Sequence, residues 1–427
     1  MTQLENPETI EMEMAYQSRA KAASHRQGKC VDFTFNSQEK KGVVENIRKH
    51  IIAKYHIAGM VIFSPANFAY VSAGMILPDA MQQTQPLAAV ICLPDYRQVI
   101  FCQAAHVELL REQGWQGEIH SYGLNTHHME TGLIEEIGKF LKKEVDSSVQ
   151  LGYDSALLPA AFVDALHQQV ELKWLDVSQQ LEKLRMVKST KEIFLIGEAV
   201  RQADRGLISA LNHSEGNLLD SWGYSMWEFA ERIRVHIGEM GGHGAGQITA
   251  VQGANAAGFA AYPDGNLVQG NFLRTEISNH YRGYWSVGGR TLHVGWATPV
   301  HKADYQKNTS LKNAALDLLK PGMRCCDIYT KICDLSKQET ITLRSEFGLG
   351  HGLGLTEFEA PYLNQYDETV LEEGMVLVLS IVTESTDQQL LASKEVVVIT
   401  RDGNKVLSWY RNWDEIYEMT GNTARHG

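Results

Sequence analysis

Two short stretches hold most of the side chains that could move protons or hold a charged ligand. The first runs from 271 to 295 and carries Arg274, Glu276, Ser278, Ser286 and Arg290. The second is 347–361, Phe-Gly-Leu-Gly-His-Gly-Leu-Gly-Leu-Thr-Glu-Phe-Glu-Ala-Pro, and carries His351, Glu357 and Glu359. Hydrolysis needs a base to take a proton from water and an acid to give one to the leaving group. His351, Glu276 and Glu359 are the candidates for that work. An imidazole titrates near neutrality by default, and neighbouring carboxylates would favour the protonated form of His351. Glycines on each side of it let the backbone pass close to a ligand. Glu276, Glu357 and Glu359 would pair with a cationic nitrogen group, and Arg290 or Arg274 would hold a carboxylate. His243 and Tyr262, from nearby loops, are further candidates for substrate contact. His243 sits in the run Gly-Gly-His-Gly-Ala-Gly at 241–246, which lacks the Lys-Ser/Thr of a phosphate-binding loop.

These residues need elements to hold them. Phe272 to Ser278 and Tyr284 to Val294 read as two strands around a turn built from Asn279, His280, Arg282 and Gly283. Alternate side chains of a strand share a face. Arg274, Glu276 and Ser278 therefore stand together, and so do Ser286, Gly288 and Arg290. If one face lines a cleft, Glu276 and Arg290 look into it. A plain surface hairpin with a solvated polar face fits the same pattern.

Before the hairpin the chain alternates. An amphipathic helix over 38–58 leads into the apolar Gly59-Met-Val-Ile-Phe. Strands near 87–93, 97–102, 117–122 and 149–153 follow, with helices at 104–112, 131–143 and 158–169. That alternation implies an α/β layer. At Leu184-Arg-Met-Val-Lys-Ser-Thr-Lys-Glu-Ile the character changes, and Ser189 or Thr190 can cap a long helix. Helices over 190–212, 225–239, 301–319 and 325–337 bracket the strands of the second half. The expected division is an α/β domain at 1–183 and a second domain at 184–427, an α+β class overall.

Composition narrows the function classes. Hydrophobic residues make up 44% and charged residues 21%, as in a globular protein with a sizeable core. A net charge of −12 disfavours nucleic acid or an anionic membrane as partner. No apolar run is long enough to span a bilayer, and Met1 to Gly28 is polar with no signal core, so a cytoplasmic location is expected. The six cysteines make no Cys-x-x-Cys pair and read as free thiols.

Both stretches carry a resemblance. Gly283-Tyr284, Ser286 and Arg290-Thr291 resemble the central hairpin of the creatinase/aminopeptidase P/methionine aminopeptidase superfamily, whose fold is called pita-bread. Gly350-His351-Gly352 with Glu359 and Pro361 resembles the same family's Gly-His-Gly motif, with Phe358 in place of a second, substrate-contacting histidine. The resemblance implies a small α/β domain followed by a pita-bread domain, and a homodimer. In metal-dependent members two aspartates of the hairpin bind divalent ions. Glu276 and Val287 fall at those positions here. Two further ligand positions fall at Ser380 and Lys394, and Glu395, one residue on, is a candidate for substrate contact. One histidine and one glutamate cannot hold two divalent ions, and a lysine repels them. The resemblance therefore points to the creatinase/ectoine hydrolase branch. It implies metal-independent hydrolysis of an amidine, guanidino compound or cyclic amino acid, with no metal and no cofactor. The histidine which that branch places before the hairpin falls at Ala260. A scaffold turned to lyase or biosynthetic chemistry, a binding module without catalysis, and a metal-dependent Xaa-Pro aminopeptidase or prolidase are the alternatives.

Overall fold

A computed structural model describes residues 35–77, 86–95, 97–123, 129–217, 223–242, 244–253, 262–408 and 413–420. Two compact units divide between Arg185 and Met186.

The first unit is built on a six-stranded mixed sheet: β1 (Met60–Ile62), β2 (Ala88–Cys92), β3 (Gln98–Gln103), β4 (Glu118–Tyr122), β5 (Gln150–Tyr153) and β6 (Lys173–Asp176), in spatial order β4-β3-β2-β1-β5-β6. Every residue of β1 and β2 is buried, as continuous apolar runs demand when both faces of a sheet are covered. Helices Met129–Glu144 and Ala160–Gln169 supply Leu133, Ile137, Phe162 and Leu166 to the core beside Val61, Ile91 and Phe101.

The second unit is the pita-bread domain. Its strands are β7 (Gly244–Gln252), β8 (Phe272–Tyr281), β9 (Tyr284–Val294), β10 (Gly350–Gly352), β11 (Glu359–Tyr362), β12 (Val376–Glu384), β13 (Leu390–Thr400), β14 (Gly403–Val406) and β15 (Tyr417–Met419). They form one sheet in the order β11-β10-β12-β13-β9-β8-β7, with β14 on β13 and β15 on β9. The turn of the central hairpin is only Arg282-Gly283, whose φ values are 49° and 80°. Two successive residues in the left-handed region make the tight turn that matches strand twist. Asn279 and His280, expected in the turn, therefore belong to β8.

Register decides which face each hairpin residue takes. Arg274 pairs with Thr291, Glu276 with Gly289 and Ser278 with Val287. Thr275 pairs with Arg290, Ile277 with Gly288 and Asn279 with Ser286. Directly paired residues of antiparallel strands point the same way. Glu276 and Arg290 consequently point to opposite faces. The Arg290 face is covered by helices. Ile233 and Ile237 of Met226–Glu239 share a core with Ile277 and Leu292, and the Asn279 amide donates to the Ala199 carbonyl of Thr190–Asn217 at 3.1 Å. Further along the sheet, helices Pro299–Leu318 and Cys325–Gln338 pack Leu311, Ala315 and Ile328 against Leu377, Leu379 and Val397. The other face carries Glu276, Lys394 and His351.

Candidate functional site

Glu276 is the hub of the polar face. Its Oε1 accepts from Arg274 Nη1 at 2.6 Å, and its Oε2 accepts from the Lys394 ammonium. Burial alone would raise its pKa, but Lys394 and Arg274 outweigh it and hold the carboxyl below the usual range. Arg274 is fully buried, and its guanidinium braces Glu276 from two residues back on the same strand. Lys394 arrives from β13, two strands away. It pairs with Gly289 of β9, and its stem lies across that glycine. A Cβ at Gly289 would meet Lys394 Cγ at 2.9 Å, so only glycine leaves the path open.

His351 stands on β10, opposite Val378 of β12. β10 is wedged tightly between its neighbours: a Cβ at Gly350 would sit 2.0 Å from the Val378 carbonyl, and one at Gly352 2.1 Å from that of Ala360. The ring packs on exposed Phe358 with centroids 4.3 Å apart, and Nδ1 lies 2.9 Å from the Gly352 carbonyl. Nδ1 must then be the protonated nitrogen, which leaves Nε2 as an acceptor. Burial pushes the imidazole down to about 4, with Lys394 adding to the effect and the Gly352 carbonyl and Glu359 opposing it. His351 is thus neutral at pH 7, not the protonated form expected from neighbouring carboxylates, because burial of the ring outweighs the pull of Glu359. Glu357 behaves in the opposite sense. Burial raises its carboxyl, against the Ser278 hydroxyl and Lys394.

Three expected site residues have other employment. Glu359 is 2% exposed and forms a buried ion pair with Lys188, Nζ to Oε1 2.7 Å. Its second oxygen lies 3.3 Å from the Thr356 hydroxyl. Glu192 sits beside this pair, accepting from the Tyr284 hydroxyl at 3.3 Å, and its pKa is raised chiefly by burial. Glu359 therefore braces the loop that carries Glu357 and Phe358 and is closed to a ligand. Arg290 and Glu395 pair with each other at 2.8 Å on the helix-covered face, where Ser408 bridges from Arg290 to Asp204. The register above removes both from substrate contact. Tyr262 is described and 86% exposed. His243 and Ala260 lie outside the described residues. Lys188 and Gly289 were not singled out from the sequence. Lys188 lies in the segment read only as a domain entry, 171 residues from Glu359.

The His351 shift sets a pH dependence. The unfolded chain takes up this proton near 6.5, the folded chain only near 4. The group's contribution is therefore present above pH 6.5 and is lost as pH falls towards 4. Urea midpoints are expected to fall on acidification through that window, and to fall less in His351→Gln. Equal slopes in both proteins would contradict the assignment.

The description "Creatinase/Prolidase N-terminal domain" matches residues 44–187, and "Metallopeptidase family M24" matches 195–401. A Xaa-Pro dipeptidase from Pyrococcus horikoshii is 26% identical over 274 residues, 62% of this chain and 75% of that protein. A Xaa-Pro dipeptidase from Lactobacillus delbrueckii is 25% identical over 322 residues, 74% and 82% of the two chains. The solved Xaa-Pro dipeptidase from Bacillus anthracis superposes with a TM-score of 0.74 at 20% identity, over 89% of this chain and 99% of that one. The chain belongs to the creatinase/aminopeptidase P/methionine aminopeptidase superfamily, with the pita-bread fold of its peptidases. The relatives correct the expected branch. They are Xaa-Pro dipeptidases, so the assignment to a metal-independent, creatinase-like hydrolase of amidine, guanidino or cyclic amino-acid compounds is overturned.

A metallopeptidase description implies divalent ions. The described residues do not fit them. The Lys394 ammonium occupies Glu276 Oε2, Arg274 holds Oε1, and Val287 and Ser380 bring no carboxylate. Among the described residues no group of three or more His, Cys, Asp or Glu is placed to hold a metal ion. Hard divalent ions need several oxygen ligands.

Proposed function

We propose that this chain is an enzyme of the Xaa-Pro dipeptidase class, taking a dipeptide-sized substrate on the face bearing Glu276, Lys394, His351 and Glu357. The observation that carries this reading is the match to Xaa-Pro dipeptidases over most of both chains. The chemistry of the face is compatible with it. A dipeptide is a zwitterion, and the face offers a partly buried cation, Lys394, to its carboxylate. Peptide C–N cleavage needs a proton acceptor for water and a proton donor for the leaving nitrogen. His351 Nε2 supplies an acceptor, and burial shifts the Glu357 carboxyl upward, towards the form that donates a proton. Phe358 offers an apolar wall for a proline ring. A homodimer in the cytoplasm belongs to the same reading.

A second reading rests on the Lys394–Glu276 ion pair. That pair occupies the oxygens a metal would need, which favours a site that holds a dipeptide without cleaving it. Incubation with a panel of Xaa-Pro and other dipeptides, with and without added Mn²⁺, separates the two. Release of free proline is the expected result. Binding with no release leaves the second reading, and absence of both binding and release overturns the dipeptide site.

A further inference from the structure

We propose that the Lys394 ammonium, helped by the Ser380 hydroxyl, is the binding group for the carboxylate of the ligand; the proposal rests on the dipeptide reading for its ligand but not for its chemistry. The route of the side chain shows a built feature. Lys394 starts on β13, crosses β9 over Gly289 and ends on Glu276 of β8. An ammonium has three hydrogens to donate. Among the described residues Glu276 is its one hydrogen-bond acceptor. The side chain is 17% exposed, so the remaining hydrogens are sheltered yet open to a small ligand.

Glu276 already has two cations, Arg274 and Lys394, on its oxygens, and the other carboxyl that Lys394 acts on, Glu357, is shifted upward by burial. The Arg274 guanidinium is fully buried and cannot reach a ligand. Val287, paired with Ser278, is apolar, and Ser380, directly across from Lys394, is neutral with a hydroxyl to donate. His351 carries no charge at neutral pH. A carboxylate brought to Lys394 gains charge-assisted hydrogen bonds from the remaining ammonium hydrogens in a partly desolvated place. An amide in the same position lacks the charge that strengthens them.

Calorimetric titration of the full chain with Ala-Pro, its C-terminal amide and L-proline tests this. The unmodified protein is expected to bind Ala-Pro at least tenfold more tightly than the amide. Lys394→Met should weaken Ala-Pro and L-proline at least tenfold and the amide less than twofold, and Lys394→Arg should recover part of the loss. Glu276 keeps Arg274 in Lys394→Met, so the variant should fold, which a melting curve verifies. Gly289→Val, which blocks the route of the lysine stem, should reproduce the Lys394→Met pattern. Wild-type affinity for Ala-Pro in Lys394→Met, or equal affinity of the unmodified protein for acid and amide, overturns the proposal. Binding of no carboxylate at all does so too. Lys394-dependent binding of L-proline with no binding of Ala-Pro upholds the proposal and overturns the dipeptide reading instead.

Discussion

Replacing Lys188 with Met is expected to cost about 3–5 kcal/mol of folding stability. Its ammonium is 1% exposed and is the cation between two buried carboxylates, Glu359 and Glu192. Taking it away removes the cation these two buried acids share, with Glu192 left on the Ser189 and Tyr284 donors. Urea denaturation at pH 7 reads the size of the loss. Glu359→Leu in the same chain should recover most of the loss, because it removes the stranded charge. A loss below about 1 kcal/mol at pH 7 would mean that the pair is solvated, as surface ion pairs are.

His351→Ala is the second large effect. On whichever dipeptide is turned over, kcat is expected to fall at least about 100-fold, the usual scale for a lost general base. The fold should survive, since β10 is held by backbone pairing to β11 and β12 and by the close approach of Gly350 and Gly352. Phe358 loses the ring it packs on, so KM should rise modestly. His351→Gln, which keeps an acceptor but takes no proton, should behave like alanine in kcat. A kcat within threefold of the unmodified enzyme in either variant removes His351 from the proton transfer.

Much of the architecture was legible because it depends on local pattern. Helix and strand periods placed most elements within a few residues, and the glycine-flanked His351 marked a strand that must pass close to its neighbours. What was not legible is long-range. Alternation told that Arg290 and Glu276 each stand on a face, but not that the two faces are opposite. That follows from a two-residue turn and from the helices that cover one side. The same blindness moved Glu395 to the site, although it pairs with Arg290 beneath the sheet. Glu359 looked catalytic because it belongs to the glycine-flanked motif of His351, whereas Lys188 reaches it from 171 residues away in the chain. Lys394 read only as a lost metal ligand. Its partner Glu276 is 118 residues away, and the glycine that lets the two meet is on the strand between them. The choice of branch failed for a different reason. Missing ligands say what a site lacks, not which relatives share the rest of the chain, and those relatives are Xaa-Pro dipeptidases.

The central claim is that a dipeptide occupies the face bearing Glu276, Lys394, His351 and Glu357. A crystal structure of the protein grown with Ala-Pro tests it most directly. The expected result places the peptide carboxylate about 3 Å from Lys394 Nζ, with the C–N bond or the released proline beside His351 Nε2. A dipeptide bound elsewhere, or a Lys394–Glu276 pair displaced by two divalent ions on Glu276 and His351, would contradict it.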